Sequence, residues 1–541
     1  MADINSARLC EQIIRNDFGP LTATVAATVL SRGRLPLPTI IRYSGLKPRT
    51  VRAAILVLVQ HNILWHAQSE EGDMLEVNVE ECLYRLRYGR YVWQAGQLYG
   101  DAGAEIVQLI LDHGKLRPPD IMSRLATQAS VKDPSVFAQA MHKLVECSYL
   151  KPSTVLSHVS PLDKRIKYEA EEKAKISGFP TAKQLREAKE IAEGRLKREE
   201  EEAEKVGMKR KAKDLGKKPS KRKAVEEDVV DDDVYFRVNC EKFNIHMRNK
   251  IIEDAAKERF NDFAGLVLRA ALKATETKQL HVADMRSDPT SLADISLHLG
   301  EDTTLEDGFV HTSKKASHMT MLKDYVGILA SADNPTPSGQ ASSFVSFSGS
   351  KVQVEFAIIR HRLKRRVIEA VVRERYGEDA VRIVRLLLDT GKMEEKLISK
   401  VGMMAPKDVR PLLTALSAES LISVTEIAKS ADRNPARMFF LWYVDLQKAC
   451  SIQLGHLYKT LYNIVARRQA EEEEAGVKAV LEKRQRSDVS QDEERYLTRN
   501  EREVLAAWEK KREKLTVLEM RIEETVFILR DFGSILANDE E

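Results

Sequence analysis

The sequence predicts a mainly α fold: four tandem winged-helix domains, the third extended, and a C-terminal antiparallel coiled-coil hairpin. Three observations carry that prediction. Residues 106–121, IVQLILDHGKLRPPDI, return at 383–398 as IVRLLLDTGKMEEKLI, with Ile, Val, Leu, Leu, Asp, Gly, Lys and the closing Ile in register. A repeat of that kind marks a duplicated supersecondary unit. After each third helix of the repeat the apolar pattern changes from helical to alternating, as where strands follow helices. Near the chain's end, Leu515, Leu518, Ile522, Val526 and Leu529 recur at the three- and four-residue steps of a helix seam.

At 541 residues and 43% hydrophobic, the chain is too long for one core. Residues 1–80 make the first winged helix. Gly33 stops an apolar helix, because the left-handed position past a helix end is least costly without a β-carbon. A short helix at 38–44 follows, then a third at 47–61 with Val51, Ile55 and Leu58 inward. Ile63, Leu64 and Trp65 lead through a polar turn to the alternating Leu75, Val77 and Val79, a two-stranded wing. Residues 81–156 repeat the plan, with Gly114 as the stop, helices at 119–125 and 133–147, and Phe137, Met141 and Leu144 inward.

Residues 157–232 read as a charged, partly disordered linker, because a run of Glu, Lys and Ala followed by basic and acidic blocks buries little. Residues 233–357 form the extended third winged helix, with an irregular insert at 302–320, a Pro/Ser/Gly-rich stretch at 331–343 and a hairpin at 344–356. Residues 358–445 make the fourth, stopped at Gly391, with Val409, Leu413 and Leu416 inward on its third helix. Residues 446–541 are the coiled-coil hairpin.

Chemistry is sparse. The chain lacks phosphate-loop, dinucleotide-binding, zinc-protease and nucleophile-elbow motifs, so no catalytic residue, metal ligand or cofactor is expected. Asp531-Phe532-Gly533 spells a kinase tripeptide without the glycine-rich loop or catalytic loop that would give it meaning. Five scattered cysteines argue for a reducing compartment. The longest apolar run, residues 53–59, is short of a membrane span, so no membrane partner is expected.

Net charge is only +4, yet residues 209–223 alone carry nine Lys and Arg against one Asp. Near-neutrality is therefore a cancellation between blocks. Lys209, Arg210, Lys211, Lys217, Lys218, Lys221, Arg222 and Lys223 form two clusters across a short spacer, the pattern of a bipartite nuclear import signal. Lys47, Arg49 and Arg52 at the start of one third helix, and Lys407 and Arg410 on another, are the candidate DNA contacts. An acidic protein partner would suit either patch as well. Neither helix carries a side-chain set for base readout, so any DNA contact is expected to be to backbone and sequence-independent. On the hairpin, Leu515, Leu518, Ile522 and Phe527 are the candidate docking residues, with Trp508 and Phe532 pointing to the same role.

The order of elements resembles a known family, most specifically in residues 9–64, containing LTATVAATVLSRGRLPLPTIIRYSGL, and in residues 358–444, ending in MFFLWYV. RIEETVFILR at 521–530 closes the match. The family is the winged-helix subunit peculiar to eukaryotic RNA polymerase III, related to the alpha chain of general transcription factor IIE. The resemblance implies a nuclear, noncatalytic polymerase subunit that heads a heterotrimer with two smaller polymerase III-specific subunits. It further implies docking on the clamp of the largest subunit, joining to TFIIIB at promoter DNA, and help in opening that DNA at tRNA and 5S rRNA genes. The competing reading is a freestanding winged-helix regulator that recognises a sequence.

Overall fold

The computed structural model of the chain describes residues 3–69, 72–128, 133–176, 181–210, 228–299, 318–331, 343–428, 438–486, 489 and 493–533. They fall into two compact units, Met1–Phe243 and Asn244–Glu541.

In the first unit, α1 (Ile4–Phe18) and α2 (Pro20–Arg32) meet at Gly19, whose φ of +85° turns the chain in a conformation that side chains disfavour. After Gly33 come β1 (Leu35–Pro36), α3 (Leu37–Ser44), α4 (Pro48–Gln60), β2 (Leu64–Ser69) and β3 (Gly72–Val77). The sheet order is β1-β3-β2, with Leu35 opposite Leu75 and Leu64 opposite Val77. Val25, Val29, Ile40, Val51 and Leu58 are buried, as the helical stripe requires.

α5 (Val79–Tyr84) leads to α6 (Tyr88–His113), which is broken at Gly100, and on to α7 (Pro118–Gln128), α8 (Pro134–Glu146) and β4 (Leu150–Pro152). The strand that completes this second wing is not next in sequence. The chain first makes α9 (Pro161–Ala174), α10 (Ala182–Lys205), β5 (Met208–Arg210) and β6 (Asp228–Val230), and only then β7 (Phe236–Val238). β7 pairs antiparallel with β4, and Phe236 also bridges to Leu116, reproducing the strand order of the first sheet. The segment expected as a linker is thus inserted inside a wing, and residues up to Phe243 belong to the same unit as the second winged helix.

The described residues of that insertion form a packed helical pair that its charge does not suggest. α9 and α10 pack side by side, with Ala188 and Ala192 buried where small side chains let helices approach. Lys164 and the Tyr168 hydroxyl both donate to Glu199, and Arg195 pairs with Glu171 at 2.6 Å. Thr181 and Gln184 form a reciprocal capping box at the start of α10. Counting charges misses this because an alanine stripe and cross-hairpin ion pairs need few apolar residues.

In the second unit, α11 (Cys240–Arg259) from Asn244 onward, α12 (Asp262–Ala274), β8 (Thr290–Ser291), α13 (Leu292–Leu299), α14 (His318–Ala330), β9 (Val345–Ser348) and β10 (Lys351–Val354) build the third winged helix, with strand order β8-β10-β9. Most of the expected insert at 302–320 lies outside the described residues; its last three positions begin α14. The fourth repeats the plan: α15 (Phe356–Tyr376), α16 (Glu378–Thr390), β11 (Met393–Glu394), α17 (Glu395–Gly402), α18 (Pro406–Ala418), β12 (Ser423–Ala428) and β13 (Met438–Tyr443), order β11-β13-β12.

α19 (Leu446–Glu473) and α20 (Ala475–Arg484) run against α21 (Arg499–Arg530). Their ion pairs, Arg468 with Glu519, Glu471 with Lys511, and Lys483 with Glu501, fall in number along one strand of the hairpin as they rise along the other, so the pairing is antiparallel. The seam is partly polar. Phe527 and Phe532 at its base pack into the core of the third winged helix, and Leu529 into that of the fourth.

Candidate nucleic-acid and partner interfaces

The first candidate interface is the start of α4. Lys47 occupies the N-cap and Pro48 the first helical position, where its fixed φ and missing N–H cost nothing. Val51, Ala54 and Leu58 face the core, which turns Arg49 and Arg52 outward on the opposite side. None of Lys47, Arg49 and Arg52 makes an ion pair among the described residues, and the positive end of the helix dipole adds to their charge. Between them and the C-terminal end of the helix sits Leu56, 70% exposed. Arg34, close by in sequence, is committed elsewhere: it pairs with Glu76 at 2.7 Å and Asp163 at 2.8 Å.

On α18, Lys407 is exposed without an ion pair among the described residues, but Arg410 is held by Glu395 at 2.6 Å. The structure therefore gathers Lys47, Arg49 and Arg52 at one helix end and leaves Lys407 and Arg410 on a helix of the other unit. The basic approach helix α15 supplies no free cluster. Arg360 is buried and donates to the Ala283 and Asp284 carbonyls, and Lys364 is buried and donates to the Gly533 carbonyl at 2.6 Å. Arg365 pairs with Glu369 and Asp389, Arg366 with Glu258, and Arg362 lies over the Phe344 ring. Burial pushes the Arg360 and Lys364 side chains below their usual pKa ranges.

Of the import-signal residues, Lys209 lies on β5 and pairs with Asp231 at 2.6 Å, and Arg210 closes that strand opposite Asp228. Lys211, Lys217, Lys218, Lys221, Arg222 and Lys223 lie outside the described residues.

The docking candidates divide. Leu515 and Ile522 are half-buried and Leu518 is 45% exposed, but Phe527 has no exposed surface and meets Phe532 edge-on at 5.4 Å. Phe527 is corrected from a docking residue to a core residue: in the final turn of α21 its ring is buried in the core of the third winged helix, and Leu529 in that of the fourth. Trp508 is likewise buried, against Val477 and Val480 of α20. Among the described residues no group of three or more His, Cys, Asp or Glu could hold a metal ion, and no helix is long and apolar enough to cross a membrane.

Sequence reasoning missed the joint between the first two winged helices. Gln60, at the end of α4, donates from Nε2 to the carbonyls of His113 and Lys115, and the Lys115 ammonium donates back to the Val59 carbonyl at 2.9 Å. A cation thus caps the negative end of α4 from the neighbouring domain. The same ammonium lies 2.8 Å from His158 Nε2. Burial, then Arg237, brings Lys115 down to about 8. Burial, then Lys115, brings His158 down to about 4, and burial with Arg85 does the same to His61. The Gly-Lys pair of the repeat was the available signal, but it is not specific: the matching Lys392 lies over the Tyr443 ring instead.

Four family models match the chain. That for the RNA polymerase III subunit RPC82 helix-turn-helix domain covers residues 8–68, that for RNA polymerase III subunit RPC82 residues 139–335, that for the POLR3C C-terminal winged-helix domain residues 368–444, and that for the helical hairpin domain of DNA-directed RNA polymerase III subunit RPC3 residues 479–528. The chain is 26% identical to the human DNA-directed RNA polymerase III subunit RPC3, covering 97% of both chains, and 26% identical to that of Danio rerio at the same coverage. The Coccidioides immitis subunit of that name is 25% identical over 97% of this chain and 99% of its own.

Proposed function

From the premise that this chain belongs to the RPC3 (RPC82) family of noncatalytic RNA polymerase III subunits, we propose that it docks on the polymerase clamp and serves transcription initiation in the nucleus. On this reading the hairpin and the winged helices bind the other polymerase III subunits, including two smaller polymerase III-specific ones. The subunit then helps join the enzyme to TFIIIB at promoter DNA and to open that DNA at tRNA and 5S rRNA genes. On this reading the four winged helices and the hairpin are the binding modules, and residues 157–232, expected as a linker, serve instead as an insertion within the second wing.

The observation that carries the DNA part is the cluster of Lys47, Arg49 and Arg52, which no described acidic residue neutralises, at the start of α4. A helix end presenting cations and backbone N–H groups suits phosphate; α4 has no Asn, and its Gln60 is held by the His113 and Lys115 carbonyls, so the contact is read as one to backbone and sequence-independent. Affinity purification of the tagged chain tests the assembly: the large polymerase III subunits should co-purify, and their absence would sink the reading. Binding to duplex DNA should be weak, steep in salt and indifferent to sequence. A strong preference for one duplex at physiological salt would favour the freestanding regulator instead.

A further inference from the structure

The first and fourth winged helices align without a gap from one end of their helical part to the other. Gly19, Gly33, Pro48 and Asn62 correspond to Gly377, Gly391, Pro406 and Ser420, each pair 358 positions apart. The glycines of each pair share their positive φ, as do Asn62 and Ser420. At one position the two part company. The turn between second and third helix starts at Gly45 in the first copy, with φ +66°, and at Met403 in the fourth, with φ +54° and ψ +40°. A methionine in this left-handed conformation carries a strain that glycine avoids. Its side chain gains no shelter in return, for Met403 is 91% exposed.

The face beside it is equally unusual. On α17, Ile398, Ser399 and Gly402 are buried, which turns Lys396, Leu397, Lys400 and Val401 outward. Leu397 and Val401, one turn apart, are 46% and 49% exposed. Lys396, Lys400 and Lys407 make no ion pair among the described residues, and Asp408 is the one exposed acidic residue at the start of α18, since Glu395 is occupied by Arg410. Three apolar side chains thus lie among three unneutralised cations within twelve residues of chain, residues 396–407.

We propose that this face, Lys396, Leu397, Lys400, Val401, Met403 and Lys407, docks an acidic amphipathic helix of another protein. Leu397 and Val401 form a ridge for apolar side chains spaced at one turn, Met403 supplies an unbranched thioether that adapts to the pocket it enters, and the lysines meet flanking carboxylates. Phosphate fits less well, because a DNA backbone offers nothing to bury Leu397, Val401 and Met403, and Arg410, the fork-shaped donor of this copy, is already held. A second copy of this chain would set like charges against like. The surface is independent of the DNA contact assigned to α4.

The test uses the full-length chain and a synthetic 18-residue helix with leucines on one face and glutamates on the other, its partner control having lysine for every glutamate. The acidic helix should bind and the basic one should not. Met403→Gly and Lys400→Glu should each weaken the acidic helix at least tenfold, while Met403→Gly leaves Tm unchanged or raises it, because glycine relieves the turn. Equal binding of both helices, or unchanged binding by Met403→Gly, would overturn the proposal. So would a lower Tm for Met403→Gly, which would make the methionine a packing residue, or displacement of the helix by a 20-base-pair duplex whose own binding falls with Met403→Gly.

Discussion

Gly114 has φ +83°, and a β-carbon there would lie 2.4 Å from the Gln60 carbonyl oxygen. Both the backbone conformation and the close approach exclude a side chain, so Gly114→Val should cost more than about 2 kcal/mol of stability, measured by denaturant unfolding of the full chain. The histidines of the same joint give it a pH dependence. His61 and His158 are held near 4 against an ordinary 6.5, so between those values the unfolded chain binds more protons and stability falls as pH drops. Melting curves from pH 7 to pH 4.5 should show that decline, and His158→Asn should flatten it. Lys115, lowered to about 8 from 10.5, works in the same sense at the alkaline end: stability rises with pH between those values as the unfolded chain holds the extra proton. On the α4 end, replacing Lys47, Arg49 and Arg52 with Ala should reduce the slope of log affinity for duplex DNA against log salt by about 3, one for each lost phosphate contact. Arg410→Ala should change it less, since Glu395 already neutralises that guanidinium.

Single elements show why charge and hydrophobicity along the chain are poor guides to which face is free. α15 carries five cations in seven residues, 360–366, and every one is engaged by a carbonyl, a carboxylate or a ring. α21 carries Leu518 and Phe527 less than three turns apart, yet one looks out and the other is sealed in a core. The two should therefore fail differently. Phe527→Ala should destabilise the chain by about 3–5 kcal/mol, the usual cost of emptying an aromatic core site. Leu518→Asp should change stability by no more than about 0.5 kcal/mol and instead release the chain from the polymerase, read as lost co-purification of the large subunits. Retention of a Leu518→Asp chain in the complex would remove this stretch of α21 from the docking surface. The inward faces of the third helices were largely legible: Val51, Leu58, Phe137, Met141, Leu144, Val409, Leu413 and Leu416 are buried as their spacing requires, whereas Ile55, expected inward, is half-buried and Ala54 takes the core position between Val51 and Leu58. The glycine spacing carries a further signal. Phe18-Gly19, Tyr99-Gly100 and Tyr376-Gly377 each stand fourteen residues before a helix-stopping glycine and mark where each approach helix turns into the first helix of its domain.

Across the whole molecule, four sheets share one strand order although one of them is interrupted by more than eighty residues between β4 and β7. The proposed import signal sits in that interruption, between strands whose ends, Arg210 and Asp228, are paired. Lys209 is neutralised by Asp231, so the second cluster should dominate. Replacing Lys221, Arg222 and Lys223 with Ala should weaken nuclear accumulation of a fluorescent fusion expressed without its partners, whereas Lys209→Ala should do little; unchanged import by the triple variant would place the signal elsewhere. The sequence by itself determined the number of winged helices, their inward faces and the closing hairpin, because helical and alternating periods and stop glycines are local properties that repeat visibly. Only the tertiary structure decided which strand completes the second wing, which cations remain free and which aromatic residues serve the core. Those outcomes depend on partners far apart in the chain, and pairing at a distance leaves no period to read.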